Sequence, residues 1–252
     1  MPPIDTNAII IKSTDSGETS RRLSFFSPNE GRFSLTARGA KSKSGRAHAN
    51  LEPYTIARVF ANLKPEADLG TLSRAETIER FPHLREDLTR LAAAAVVCEV
   101  IDRGTQPRLA NARLYEYAVS FMRALDAEDG AKLIFLLGHA LMRASQALGV
   151  APHVSACVGC GAAVKRGWLD FEAGGLLCPQ CRPGGSPSGA SLDPSVAALL
   201  AACAIRPWSQ IREAANDGPE TKALATTLIR WLSYHLECEF KSIRFLLSAE
   251  KL

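Results

Sequence analysis

Acidic residues are missing from one stretch of this chain, and long apolar runs are missing from all of it. Between Arg32 and Arg46, the segment RFSLTARGAKSKSGR carries Arg32, Arg38, Lys41, Lys43 and Arg46 with no Asp or Glu. Apolar runs such as Leu91–Cys98 stop far short of the roughly 20 residues a membrane-spanning helix requires. The opening MPPIDTNAIIIK lacks a basic region followed by a long apolar stretch, so no secretory signal is expected. No Gly-x-x-x-x-Gly-Lys-Ser/Thr loop occurs, which leaves ATP hydrolysis unsupported. The five histidines (His48, His83, His139, His153, His235) form no His-x-x-x-His pair, and no carboxylate cluster is placed for two metals. His139, in LLGHALM, reads as a core histidine of an apolar helix. An enzyme acting on nucleic acid is therefore a poor match.

What the chain does have is ordinary globular composition: 252 residues, 46% apolar and 22% charged. The formal net charge of +4 is too small to imply nucleic acid by itself, so its distribution matters more. Seven cysteines, an odd number, fit a reducing compartment better than a secreted disulfide framework, and the expected location is the cytoplasm.

Three regions follow one another. Residues 1 to about 80 read as five short strands: NAIIIK (7–12), RRLSFFS (21–27), GRFSLTARGA (31–40), LEPYTIARVFANL (51–63) and LGTLSRAETIER (69–80), with the turn signal SPNEG between the second and third. Five uneven strands with a polar loop after the third suit an OB-type barrel, and a β-sandwich fits the same pattern. From about 83 the period becomes helical. LREDLTRLAAAAVVCEVIDR puts Leu84, Leu88, Leu91, Ala95 and Val96 on one face. LYEYAVSFMRAL and AKLIFLLGHALMRASQALG continue the pattern, and Gly149 stands where a helix-ending glycine belongs. RPGGSPSGASLDP (182–194) reads as a flexible connection, and Asp193-Pro194 as the start of the next helix. SVAALLAACAI and a long ETKALATTLIRWLSYHLECEFKSIRFLL complete an all-α region. The fold class is α+β.

The third region, CVGCGAAVKRGWLDFEAGGLLCPQC (157–181), interrupts the helices with two Cys-x-x-Cys knuckles separated by Gly161–Leu177. This spacing falls within the range of four-thiolate zinc sites. Gly159 and Gly161 give the first knuckle room, and Gly174-Gly175 makes a hairpin turn before the second. Two disulfides, or a thioredoxin-like redox pair, are the alternatives. If Cys157, Cys160, Cys178 and Cys181 all bind one zinc, no position is left for water or substrate, and the ion is structural. Cys98, Cys203 and Cys238 sit in helical patterns beside apolar residues and read as small core residues.

The basic segment has two readings. It is a solvated charge run, or, in an OB barrel whose binding groove is built from strands 2–3 and the adjoining loops, a segment that follows a phosphate backbone. Phe25, Phe26 and Phe33 are either stacking residues or core, and strand spacing favours core.

Several of these stretches, in order, resemble the bacterial RecO recombination-mediator family. GETSRRLSFFS is similar to its first segment, GRFSLTARGAKSKSGR to its basic loop, and LEPYT to the strand start after it. ETIERFPHLREDLTRLAAA matches the entry into its helical domain, CVGCG through LLCPQC its zinc motif, and YHLECEFKSIRFL its C-terminal signature. The resemblance implies an OB-fold DNA-binding domain over 1–80 and a helical domain over 81–252 with the zinc motif at 157–181. It implies binding of single- and double-stranded DNA, annealing of complementary strands, and work with RecR to load RecA onto strands coated by SSB, in the nucleoid. SSB's acidic tail would meet a pocket in the helical part, for which Lys241 and Arg244 are weak candidates beside the simpler reading of a solvated helix end. Carried over by position, Arg38, Lys41, Lys43 and Arg46 are the DNA contacts and the four cysteines ligate one zinc ion. Two positions depart from the family: Ser34, where Arg or Lys is frequent, and Phe240, where leucine is usual. A zinc-stapled scaffold that contacts only proteins is the competing reading.

Overall fold

The structure is a computed structural model that describes residues 4–40, 51–64, 67, 69–164, 166–182 and 188–249. Two compact units divide the chain. One holds residues 1–126 with 242–252, the other residues 127–241.

The first unit begins with a closed five-stranded barrel: β1 (Ile4–Ser16), β2 (Ser20–Ser27), β3 (Gly31–Ala37), β4 (Ile56–Asn62) and β5 (Leu69–Glu79), in the order β1-β2-β3-β5-β4. Alternation decides which side chains fill it, because successive residues of a strand point to opposite faces. Ala8, Ile10, Leu23, Phe25, Phe33, Leu35, Ala37, Ala57 and Val59 share its buried core. Phe25 and Phe33 are cross-strand partners, stacked with ring centroids 5.4 Å apart. Burying each such ring stabilises the fold by about 1.5–3 kcal/mol relative to exposure. An irregularity between Ile10 and Lys12 bends β1, whose first half pairs with β4 and second half with β2. Closure comes from a short parallel pairing, Ser34 to Thr36 of β3 against Leu69 to Thr71 of β5. A closed ring of strands is an OB-type barrel, not a sandwich.

Helices α1 (Pro82–Glu86), α2 (Leu88–Gly104) and α3 (Ala112–Ala127) follow. The single helical run expected from Leu84 to Arg103 is broken at Asp87. That residue is extended (φ −125°, ψ 124°), and its carboxylate accepts a hydrogen bond from the Arg90 N–H at 2.8 Å, capping α2. The break also turns the face. Leu88 is 49% exposed, while Ala92, Ala93, Val96, Val97, Val100 and Ile101 are buried.

The second unit contains α4 (Leu133–Ala147), β6 (Gly167–Asp170), β7 (Gly175–Leu177), β8 (Gly189–Leu192), α5 (Pro194–Ile205), α6 (Trp208–Ile211) and α7 (Pro219–His235). α4 is buried on nearly all sides and packs against α5 and α7. Gly149 does end it: φ is +76°, its N–H reaches the Gln146 carbonyl at 3.2 Å, and the Val150 N–H reaches that of Ser145 at 2.9 Å. These two bonds make a Schellman motif.

Two expectations are corrected here, and one holds. The connection expected over 182–194 includes a strand, β8, which pairs with β6; residues 183–187 lie outside the described residues. Asp193 is the N-cap of α5 and Pro194 its first residue, as expected; the cap is made by the Asp193 carbonyl, which accepts from the Ala197 N–H at 3.0 Å, and its side chain makes no cap bond. The long C-terminal helix is two: α7 stops at His235, Glu237 takes φ +49°, and α8 (Ser242–Ala249) belongs to the first unit. There it packs on α2, where Ser242 donates from N and Oγ to Glu99 Oε2 at 2.8 and 2.6 Å. Cys98 and Cys203 are buried, but Cys238 lies half-buried in the break between helices.

Candidate metal centre and nucleic-acid segment

The two cysteine knuckles are built by backbone hydrogen bonds around glycines. In the first, the Gly161 N–H donates to the Cys157 carbonyl and the Cys157 N–H to that of Ala162, both at 2.8 Å. Gly161 has φ +75°, a left-handed conformation that glycine adopts without strain. A Cβ on Gly159 would stand 3.0 Å from Cys181 Cβ, so the two knuckles approach closely only because this residue has none. In the second, the N–H groups of Cys181 and Arg182 both donate to the Cys178 carbonyl at 3.1 Å. The hairpin between β6 and β7 brings the knuckles together. It turns at Gly174 (φ +80°), and Asp170 accepts from the Ala173 N–H within it.

The outcome is a tight cluster: the Sγ atoms of Cys157, Cys160, Cys178 and Cys181 all lie within 4.8 Å of one another. None of the seven cysteines is disulfide-bonded. Four thiolates at about 2.3 Å from one tetrahedral ion would stand about 3.8 Å apart, and the Cys160 and Cys178 sulfurs are 3.7 Å apart. The Cys178 N–H points at Cys157 Sγ from 3.3 Å. Together with the N–H groups of Cys160 and Gly159 it pulls the Cys157 thiol down to about 6, which favours the thiolate a metal needs. Cys181 is pushed up to about 12 by hydrogen bonding with the neighbouring sulfurs, Cys160 first. The donor set fits one metal ion held entirely by protein, with no open position for a reaction.

The basic segment starts at the end of β3. Arg38 follows Ala37 and is exposed; Lys41, Lys43 and Arg46 lie outside the described residues. Arg32 is a different kind of residue. Its guanidinium donates to the Thr105 carbonyl at 3.1 Å and lies 3.4 Å from Asp102, tying β3 to α2. Phe25 and Phe33 are inside the barrel, and Phe26 packs outside it on Tyr115 at 6.3 Å, so all three are core. Ser34 is buried with its Oγ 3.3 Å from that of Ser24. Phe240 is buried, and Lys241 and Arg244 are exposed at the start of α8. Sequence reasoning passed over Arg21 and Arg22, which strand pairing sets opposite Ala37 and Thr36, beside Arg38. The doublet was visible in the sequence, but only the register places it there.

His139 is buried with Nε2 3.1 Å from the Arg206 carbonyl oxygen, and burial, with the nearby Arg143 guanidinium, pulls its pKa down to about 4. It is a core residue.

The chain thus combines an OB-type barrel, a helical region and a four-thiol centre embedded in it. The family model described as "Recombination protein O N terminal" matches residues 1–81, and "Recombination protein O C terminal" matches residues 85–244. Curated proteins named DNA repair protein RecO are similar along the chain. That of Anaeromyxobacter sp. (strain K) is 29% identical over 258 residues, covering 98% of this chain and 96% of its own. That of Roseiflexus sp. (strain RS-1) is 31% identical, covering 96% and 84%, and that of Bacillus pumilus (strain SAFR-032) is 29% identical, covering 78% and 75%. The chain belongs to the RecO family. Among the described residues, no helix is long and apolar enough to cross a membrane.

Proposed function

We propose that this protein is a non-enzymatic recombination mediator of DNA repair. It binds single- and double-stranded DNA, anneals complementary strands and, with RecR, helps load RecA onto single strands coated by SSB, engaging the acidic SSB tail. It does so in the cytoplasm, at the nucleoid. Family membership supports this reading, and the observation that carries it is the position of Arg38, exposed where β3 leaves the barrel and opens the acid-free segment with Lys41, Lys43 and Arg46. Annealing requires no nucleophile or proton transfer. It requires cations that replace condensed counterions on two phosphate backbones, which makes binding steeply salt-dependent and tolerant of sequence. Residues 1–80 act as the DNA-binding domain and 81–252 as the helical domain, with one structural zinc ion on Cys157, Cys160, Cys178 and Cys181, the metal that four thiolates suit.

The test is annealing of complementary oligonucleotides pre-coated with the cognate SSB, at low and moderate salt. Salt-sensitive acceleration is expected. No acceleration at any salt removes the mediator reading and leaves a zinc-stapled scaffold for protein partners.

A further inference from the structure

The three-stranded sheet beside the metal centre has two unlike faces. β6 is its middle strand, and alternation sends Leu169 and Phe171 one way, where both are buried and Phe171 meets Trp231 edge-on with ring centroids 5.5 Å apart. Trp168 goes the other way. Its cross-strand neighbours are Leu177 and Ser191. Together with Arg166, Pro179 and Arg182 these residues line a cavity of about 240 Å³.

Three features of this face point to a ligand. Among the described residues no carboxylate lines the cavity, and two arginines do. Arg182 lies over the indole ring of Trp168, its guanidinium carbon 4.1 Å from the centroid, which holds a cation against an aromatic platform. The platform is also fixed at its edge. A Cβ on Gly189 would stand 2.3 Å from Trp168 Nε1, so the indole lies directly on that backbone, and its buried N–H has no acceptor among the described residues. A rigid indole, a stacked guanidinium and a second, exposed arginine make the combination that single-stranded nucleic acid selects. Bases of any sequence stack on the planar groups, and phosphates meet the cations.

We propose that the outer face of this sheet, centred on Trp168 with Arg166 and Arg182, is a second contact site for single-stranded nucleic acid, separate from the basic segment 38–46. One base stacks against the Trp168–Arg182 pair and Arg166 takes an adjacent phosphate.

The experiment uses the full chain and a single-stranded oligonucleotide carrying 5-iodouracil, irradiated and mapped by mass spectrometry, alongside salt titrations of binding. A crosslink on Trp168 is expected. Arg166→Glu with Arg182→Glu should weaken single-strand binding about tenfold and lower the salt slope by about 0.7, the one phosphate contact that Arg166 makes. Metal content should stay unchanged. Should that pair disturb the sheet, Arg166→Gln with Arg182→Gln removes the charges without reversing them and must still lower the slope. Reversing the charges at 38, 41, 43 and 46 instead should leave residual binding that disappears when the two sets are combined. The proposal is overturned by crosslinks only elsewhere or by an unchanged slope. It is equally overturned if metal is lost with the charges, which makes the arginines counter-charges of the thiolate centre, or if only an acidic peptide binds the face. If the 38–46 variant binds no single strand while this face is intact, the second site fails and the mediator reading stands. If the unaltered chain binds no DNA, both fail.

Discussion

Gly31, the first residue of β3, lies against the backbone of Leu109: a Cβ built on it would stand 2.1 Å from the Leu109 carbonyl oxygen. The Arg108 N–H, one residue earlier, donates to the Arg32 carbonyl at 2.9 Å, so the segment before α3 is laid along the start of β3. Gly31 also has φ +60°. Gly31→Ala therefore meets both a conformational cost and a backbone collision that no rotamer relieves, and should lower stability by at least about 2 kcal/mol. Urea unfolding of the variant beside the parent measures it; a loss under about 0.5 kcal/mol would show that the contact yields freely.

The four-thiol cluster predicts one metal ion per chain, measured by elemental analysis of protein prepared without chelator. Cys157→Ser should reduce that content to near zero and open the knuckles at 157–160 and 178–181 to proteolysis, because the small apolar cluster there is built largely from the cysteines themselves. Metal-free protein with the same resistance to protease would remove the structural role.

Stability should fall on mild acidification through His139. Its folded pKa, about 4, lies below the ordinary 6.5 because burial disfavours the imidazolium. Between these values the unfolded chain binds a proton that the folded one does not, so stability is fully present above about pH 6.5 and declines as pH falls toward 4, by up to about 3 kcal/mol. His139→Gln should show a shallower decline between pH 7 and 5. Parallel pH profiles for the two proteins would assign the loss to other groups.

Asp217 caps a helix that lies far from it in sequence. Its two carboxylate oxygens accept from the N–H groups of Ile134 and Phe135 at the start of α4, both at 2.8 Å. Asp217→Ala should cost about 1–2 kcal/mol, seen as a lower unfolding midpoint, with Asp217→Asn recovering part of it. An Ala variant as stable as the parent would mean that water replaces the cap without loss.

Charge reversal at Arg38, Lys41, Lys43 and Arg46 should abolish SSB-coated strand annealing and lower the salt slope of single-strand binding, since each lost phosphate contact removes about 0.7 from it. Arg21→Glu with Arg22→Glu, beside Arg38 across the β2–β3 pairing, should weaken binding without altering sequence tolerance. Unchanged annealing in the first variant would move the DNA surface off this segment.

What the sequence determined by itself is whatever a few neighbouring residues decide. The five strands were legible because their apolar residues alternate, and the end of α4 because only Gly149 fits φ +76° without strain. The metal centre was legible because two Cys-x-x-Cys turns aim four sulfurs at one point whatever surrounds them. Tertiary structure decided the rest, because it depends on partners distant in sequence. The parallel pairing of β3 with β5 separated barrel from sandwich, and a partner strand in β6 made β8 out of a segment composed like a linker. Arg32, one of five cations in an acid-free run, became a tie to Asp102 and Thr105. The C-terminal helical pattern split at Glu237 because α8 returns to α2, where Glu99 accepts the hydrogen bonds of Ser242. No local propensity encodes an acceptor in another helix, and that is why the sequence alone reads one helix where the fold has two.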